Sequence, residues 1–218
     1  MPTKPLPERY LWLPGRNVYR NAETGRFVSW DTVRRDLDSY IEVKNGQLDS
    51  LTRSLQQGRI SLPEWQSQMR TTLKDMHANA AMVARGGRNQ MTPSDWGKVG
   101  AQLKAQYKRL DQFAMDIFTG KQRMDGRMLR RAQMYGEAVR STHQEMRRRM
   151  MAQLGREMLE RRVLGIAEHC PDCLDYAARG WQPLGTLPPI GDSVCLTHCR
   201  CHFEFRAVTR SRAAPVIA

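Results

Sequence analysis

Apolar residues recur at steps of three and four along two neighbouring stretches of this 218-residue chain. Ser61 and Glu64 form a capping pair that opens the first stretch, and Thr92 followed by Pro93 opens the second. The pattern predicts an antiparallel helical hairpin over residues 61–118. Its apolar stripes are Leu62, Trp65, Met69, Leu73, Met76, Ala80 and Val83, then Trp96, Val99, Leu103, Tyr107, Leu110, Ala114 and Ile117.

A shorter helical pattern precedes the hairpin. Asp31 can cap a helix that ends at Asn45 and Gly46, and a second short helix can follow over residues 47–57. Together with the segment that follows the hairpin, these helices predict a helical domain over residues 31–165.

The residues before this domain, 1–30, predict an extended arm, because prolines and glycines interrupt any helix there. The arm is nevertheless rich in apolar side chains, among them Tyr10, Trp12, Tyr19 and Trp30. We expect it to dock on another surface, either of its own domain or of a neighbouring subunit.

Positive charge is concentrated in the segment after the hairpin. Residues 121–162 hold twelve Lys or Arg and five Asp or Glu, a net +7 of the chain's +13. The apolar spacing predicts one long basic helix over residues 123–164, bent or broken near Gly136 or Gly155. Such a charge attracts nucleic acid or an acidic protein surface, and a solvated helix face is the alternative. The candidate polyanion-binding residues are Arg130, Arg131, Arg147, Arg148, Arg149, Arg161 and Arg162.

All five cysteines fall within residues 170–201, in Cys-X-X-Cys and Cys-X₃-Cys-X-Cys spacings. Two such groups across a Gly- and Pro-rich loop can close a tetrahedral Zn²⁺ site. The predicted ligands are Cys170, Cys173, Cys199 and Cys201, with Cys195 as the alternative ligand; His169, His198 and His202 lie beside them. A disulfide, free thiols or a thioredoxin-like redox pair are the alternatives.

A structural zinc would hold together a C-terminal region, residues 166–218, that is too small to fold on apolar burial alone. Residues 202–208 alternate between apolar and polar and predict a strand within it. The predicted fold class is therefore mainly α: a helical hairpin or bundle with an extended N-terminal arm and a small Cys-rich zinc-knuckle region with short β structure.

The motifs of common enzymes do not occur in this sequence. It has no phosphate-binding Gly loop, no Gly-X-Ser-X-Gly and no His-Glu-X-X-His, and a zinc with only cysteine ligands leaves no position for substrate. A metallonuclease that uses His143, Glu145 and Asp172 is the alternative. No apolar run suits a membrane span and the N-terminus does not resemble a secretion signal, so we expect a non-enzymatic protein made in the cytoplasm.

Four motifs resemble those of minor structural proteins of tailed bacteriophages. They are Asn-Ala-Glu-Thr-Gly-Arg-Phe-Val at residues 21–28, Met-Thr-Pro-Ser-Asp-Trp at 91–96, Arg-Ala-Gln-Met-Tyr at 131–135 and the cysteine block at 170–205. The last block is similar to the C-terminal region of the phage head-morphogenesis family to which protein F of phage Mu belongs. His198 stands where that family has Asn before Cys-Arg-Cys.

The resemblance implies a virion component assembled in the host cytoplasm, in head morphogenesis, in the head interior or at the portal and neck. Its partners would be capsid, portal or neck proteins, and its basic helix would face these proteins or packaged DNA. A zinc-containing nucleic-acid-binding regulator is the alternative function.

Overall fold

The computed structural model describes residues 4–208 and is mainly helical with two small sheets, as the sequence predicts. Its helices are α1 (Leu6–Arg9), α2 (Trp30–Gln56), α3 (Leu62–Arg85), α4 (Pro93–Phe118), α5 (Gly126–Glu137), α6 (Val139–Ala152) and α7 (Pro171–Ala178). Its strands are β1 (Tyr10–Leu13), β2 (Val18–Asn21), β3 (Phe27–Val28), β4 (Met158–Val163), β5 (Gln182–Pro183) and β6 (His202–Ala207). None of these helices is long and apolar enough to cross a lipid bilayer.

The sheets are antiparallel and have the strand orders β1-β2-β3 and β5-β4-β6. Strand β6 confirms the strand predicted near the C-terminus. Residues 1–3 of the predicted arm and 209–218 of the predicted C-terminal region lie outside the described residues.

Helices α3 and α4 form the predicted hairpin, and side-chain caps set where the long helices begin. The Ser61 hydroxyl accepts from the Glu64 N–H, while the Glu64 carboxylate accepts from the Ser61 N–H. Thr92 and Asp95 form the same reciprocal pair at the start of α4. Ser29, rather than the predicted Asp31, caps α2. These caps satisfy backbone N–H groups that a helix start leaves unpaired.

Helix α3 is the buried centre of the helical body. Trp65, Met69, Leu73 and Met76 have no exposed surface, and residues 80–85 are all buried. The helix packs against α2, α4 and α6. Removal of this stripe from water is the main term that stabilises the bundle.

Helix α2 is continuous, where we predicted two helices separated at Asn45 and Gly46. Asn45 Nδ2 donates a hydrogen bond to Glu137 Oε1 at 3.2 Å. A β-carbon added at Gly136 would lie 1.8 Å from Asn45 Oδ1, so α2 and α5 approach closely at this point. This packing outweighs the weak helix propensity of Asn and Gly.

The predicted basic helix of residues 123–164 is wrong in its last part, because it forms α5, α6 and then strand β4. Gly155 adopts a left-handed conformation with φ of 66° and ends the helical path. In β4 the alternate residues Met158, Glu160 and Arg162 are buried. Two of these three inward residues are charged, so the strand does not show an alternating apolar pattern.

Residues 4–28 fold onto the helical body, where we predicted an extended arm. Tyr10, Trp12 and Tyr19 are buried in the main core, and the Tyr19 hydroxyl donates to the Ala84 carbonyl oxygen at 2.5 Å. Pro14, Gly15 and Gly25 lie in the connections between short strands, whereas Pro5 and Pro7 lie at the start of the short helix α1. The segment therefore docks on its own chain.

Replacing Gly86 should test this docking. Gly86 has a φ of 81°, and a β-carbon there would lie 2.1 Å from the backbone nitrogen of Trp12. We expect Gly86→Ala to lower the free energy of unfolding by roughly 2 to 5 kcal/mol, since left-handed strain and overpacking add. Urea denaturation measures the change.

Gly58→Ala is the matched control, because Gly58 has a similar φ of 67° and no atom within 4 Å of an added β-carbon. It should lower stability by only about 1 to 2 kcal/mol. Equal losses in the two variants would contradict close packing of the N-terminal sheet on α3.

Two buried histidines between α3 and α6 should make the fold sensitive to acid. Burial lowers the pKa of His77 to about 4. Burial, followed by the charges of Arg147 and Arg34, lowers the pKa of His143 to about 3. The unfolded chain binds these protons near the ordinary value of 6.5, so the free energy of unfolding falls as pH drops below about 6.5.

We expect His77→Asn to lose part of this pH dependence. Asn does not titrate, and it retains a polar group opposite Thr142 Oγ1, which lies 2.7 Å from His77 Nδ1. Urea midpoints at pH 7 and pH 4.5 should show the parent losing roughly 2 to 3 kcal/mol more than the variant. His198→Asn, at an exposed position, should behave as the parent; identical pH dependence in all three would contradict the role of His77.

Candidate metal centre

The five cysteines meet beside the C-terminal sheet in a cluster that could hold a metal ion. The sulfurs of Cys170, Cys173 and Cys195 all lie within 4.8 Å of one another, and so do those of Cys173, Cys199 and Cys201. Cys173 belongs to both groups. Its sulfur is 3.7 Å from that of Cys195 and 3.7 Å from that of Cys199.

The sheet explains why two distant stretches of sequence converge here. Strand β4 pairs with β6, which begins directly after Cys201. Helix α7, which contains the other cysteine pair, also packs against β4. It carries Cys173 in its first turn, and Cys170 is its N-cap residue. Cys195 and Cys199 flank the short 3₁₀ turn Leu196–His198.

The distances fit metal coordination better than a disulfide. All five cysteines are free thiols, and the 3.7 Å separations are far beyond the S–S bond of about 2.05 Å. Two thiolates on one tetrahedral Zn²⁺, each with a Zn–S bond of about 2.3 Å, lie about 3.8 Å apart. Cys195, predicted only as an alternative ligand, is as close to Cys173 as Cys199 is.

His169 joins the cluster although it was not among the predicted ligands. Its Nδ1 atom lies 3.8 Å from the Cys201 sulfur, and its Nε2 atom lies 2.8 Å from the Gly165 carbonyl oxygen. A carbonyl oxygen only accepts, so Nε2 carries a proton and Nδ1 is the ring nitrogen available to a metal. Metal-bound histidines are held by the same kind of contact. The signal in the sequence was its position next to Cys170.

A buried arginine lies against the sulfur that the two groups share. Arg162 Nη1 is 3.9 Å from Cys173 Sγ, and Nη2 donates to the carbonyl oxygens of Pro188 and Pro189. The side chain fixes the proline-rich loop and places a positive charge beside the Cys173 sulfur. Only 2% of Arg162 is exposed.

The surroundings of the thiols shift the pKa values of Cys170 and Cys173 in opposite directions. Burial raises the pKa of Cys173 to about 12. Burial also opposes ionisation of Cys170, but hydrogen bonds from the backbone N–H groups of Cys173 and Cys195 outweigh it and lower the pKa of Cys170 to about 7. A metal ion would have to displace the Cys173 proton, so acid should weaken its binding.

Two arginines of α6 hold this region against the helical body. Arg148 makes a bidentate contact with the fully buried Glu160 at 2.8 and 2.9 Å and donates to the Leu187 carbonyl oxygen at 2.7 Å. Arg147 donates to the Phe203 carbonyl oxygen at 3.2 Å, and its guanidinium lies 3.3 Å from the centre of the Trp30 ring. Both side chains therefore act inside the protein.

A chain of ion pairs also links the Cys-Arg-Cys motif to α2. Arg200 Nη2 lies 3.1 Å from Glu137 Oε2, and Arg140 Nη1 lies 2.5 Å from the same carboxylate. Arg140 Nε is in turn 2.8 Å from Asp38 Oδ1 on α2. Alternating charges thus connect the cysteine region with the α5–α6 bend and with α2.

These contacts contradict the predicted polyanion site at Arg147 and Arg162, which are too deeply buried to meet a polyanion. The guanidinium of Arg148 likewise forms an ion pair with the buried carboxylate of Glu160. Arg131, Arg149 and Arg161 form ion pairs with Asp116, Asp95 and Glu204 at 2.8, 3.5 and 2.6 Å. Of the seven, Arg130 is exposed. A run of charge in a sequence does not distinguish solvent-facing arginines from those that satisfy buried carboxylates and carbonyls.

Cys173→Ser should remove the sulfur that both groups share. We expect bound metal to fall by more than roughly tenfold, and the region from β4 to β6 to become sensitive to protease, because metal binding and folding are coupled in small sites. Metal analysis and limited proteolysis measure the two effects.

Leu174→Ser is the matched control, since Leu174 is the next residue of α7 and is half exposed. It should keep the metal and the protease resistance. An intact, metal-loaded Cys173→Ser protein would contradict the assignment of the cluster as a metal centre.

Five thiols and one imidazole are the donors that define this region chemically. Comparisons of the chain with protein family models, with curated proteins and with solved structures find no match.

Proposed function

We propose that this protein is a non-enzymatic structural component of a tailed-phage particle, of the head-morphogenesis type, with a C-terminal region held by zinc. The cysteine cluster is the observation that carries the proposal. Four of its five sulfurs belong to the Cys-Pro-Asp-Cys and Cys-Arg-Cys motifs that resemble the phage family.

Zinc is the metal that fits the donors. Thiolates and imidazole are its usual ligands in closed, four-coordinate structural sites. The C-terminal region also has a small core of its own: Cys173, Leu187, Ile190, Cys199, Cys201 and Phe203. Half of this core is cysteine, so a metal would supply stability that apolar burial does not.

The position of the cluster supports a structural ion. Cys173, Cys199 and Cys201 are buried, and Arg162 and the proline-rich loop cover the shared sulfur. A catalytic zinc keeps one position for water or substrate, whereas these donors surround the metal position from several elements of the fold.

A corner between α4 and α5 supports docking on a neighbouring protein. Met115, Phe118 and Met124 are exposed there, Phe118 by 78%, among the exposed basic residues Lys121, Arg123, Arg127 and Arg130. Apolar side chains with a charged rim are typical of protein interfaces. We therefore take the partner to be a capsid, portal or neck protein with an acidic rim around an apolar pocket, and the location to be the virion.

Incorporation into particles tests the proposal. Particles purified from a phage that encodes the chain should contain it, and Phe118→Ser should lower its copy number by roughly tenfold, because buried aromatic anchors dominate interfaces. Quantitative mass spectrometry of the particles measures the copy number.

Val43→Ser, which replaces an apolar residue 63% exposed on α2, is the control and should leave incorporation unchanged. Absence of the protein from particles would contradict the virion role. A preferred DNA site that is retained at high salt would instead favour a nucleic-acid-binding regulator, since purely electrostatic binding weakens steeply with salt.

A further inference from the structure

We propose that the cysteine cluster binds two metal ions that share the Cys173 thiolate, an inference that rests on the structural metal site proposed above. The first ion is held by Cys170, Cys173, Cys195 and Ser193, and the second by Cys173, Cys199, Cys201 and His169. Each ion has four donors, and every cysteine of the chain is a ligand.

The first set of donors has the dimensions of a tetrahedral site. The sulfurs of Cys173 and Cys195 are 3.7 Å apart, and Cys170 lies within 4.8 Å of both. Ser193 Oγ lies 3.5 Å from Cys173 Sγ and 3.3 Å from Cys195 Sγ. For bonds of about 2.3 Å to sulfur and about 2.0 Å to oxygen, the expected S···O separation is about 3.5 Å.

The second set lies on the other side of Cys173, where Cys173, Cys199 and Cys201 form the close group and His169 contacts that group at Cys201. Cys199 Sγ is 3.7 Å from Cys173 Sγ, and Cys201 lies within 4.8 Å of both. His169 Nδ1 is 3.8 Å from Cys201 Sγ, close to the S···N separation of about 3.6 Å in a tetrahedral zinc site. The hydrogen bond between the Gly165 carbonyl oxygen and the other ring nitrogen orients Nδ1 toward Cys201.

Cys173 lies where the two sets meet. It is fully buried and belongs to both groups of mutually close sulfurs. A single ion liganded by four of the six cysteine and histidine donors would leave the other two packed against the site without a metal. A shared thiolate uses them all.

Charge balance supports the same arrangement. Two divalent ions carry four positive charges against five thiolates, and the buried Arg162 guanidinium, 3.9 Å from the shared sulfur, supplies the fifth. One divalent ion with four thiolates and Arg162 would leave a charge of −1; three thiolates with His169 would also balance, so charge disfavours only a single four-thiolate site. Uncompensated charge away from water is strongly unfavourable.

Counting the ions bound by the full-length chain tests the proposal. Native mass spectrometry of protein purified with zinc should show two ions per chain. Cys195→Ala and Cys201→Ala should each retain one ion, because each variant removes a ligand of a different site. His198→Asn, an exposed residue between these cysteines, is the control and should retain two.

Cobalt tests whether the two sites share a thiolate. Thiolate-to-cobalt absorption should rise until two equivalents of Co²⁺ have bound. The electron paramagnetic resonance intensity per cobalt should fall as the second equivalent binds, because a bridging sulfur couples the two spins.

The outcomes separate this proposal from the one on which it rests. A single ion in the parent protein that Cys195→Ala retains would overturn the site at Cys170, Cys173, Cys195 and Ser193 and leave the structural metal intact. Two ions without spin coupling would overturn the shared thiolate. A protein that binds no metal would overturn both proposals.

Discussion

The contact between Arg148 and the buried carboxylate of Glu160 is the interaction on which the C-terminal half depends. It joins α6 to β4. The same two side chains also form hydrogen bonds with the backbone of Leu187 at the start of the proline-rich loop: Arg148 donates to its carbonyl oxygen, and Glu160 accepts from its N–H. That loop leads to Ser193 and Cys195. Without the arginine, the charge of the fully buried Glu160 would have no ion-pair partner, and removing one partner of a buried ion pair is strongly destabilising. The cysteine cluster is thus positioned by an ion pair that contains no metal ligand.

The helical hairpin could be predicted because its signals are local. The capping pairs at Ser61 and Thr92 and the apolar stripes of α3 and α4 lie within a few residues of the atoms they organise. The approach of α2 to α5 at Gly136 is not local, since it depends on a partner about ninety residues away. A sequence pattern therefore placed a break at Asn45 where the packed helix has none.

In the candidate site, too, the local features could be predicted from the sequence and the contacts between distant segments could not. Cysteine spacing predicted four sulfur ligands, with Cys195 as the alternative ligand, because two-residue and one-residue gaps bring ligands together locally. His169 and Ser193 acquire their roles only through the Gly165 carbonyl and the loop that places Ser193 between two sulfurs. Strand β4 could not be predicted for a related reason. Glu160 and Arg162 face inward, and the groups that form hydrogen bonds with these buried charges lie in other segments.

The alternating charges from Arg200 through Glu137 and Arg140 to Asp38 affect how cooperatively the protein unfolds. The domain boundary predicted near residue 165 would allow the helical bundle and the cysteine region to move independently. Partly shielded charges that span it resist separation more than a flexible linker does. The two halves should melt in a single cooperative transition, and metal bound near the C-terminus should stabilise a helix that begins at Trp30.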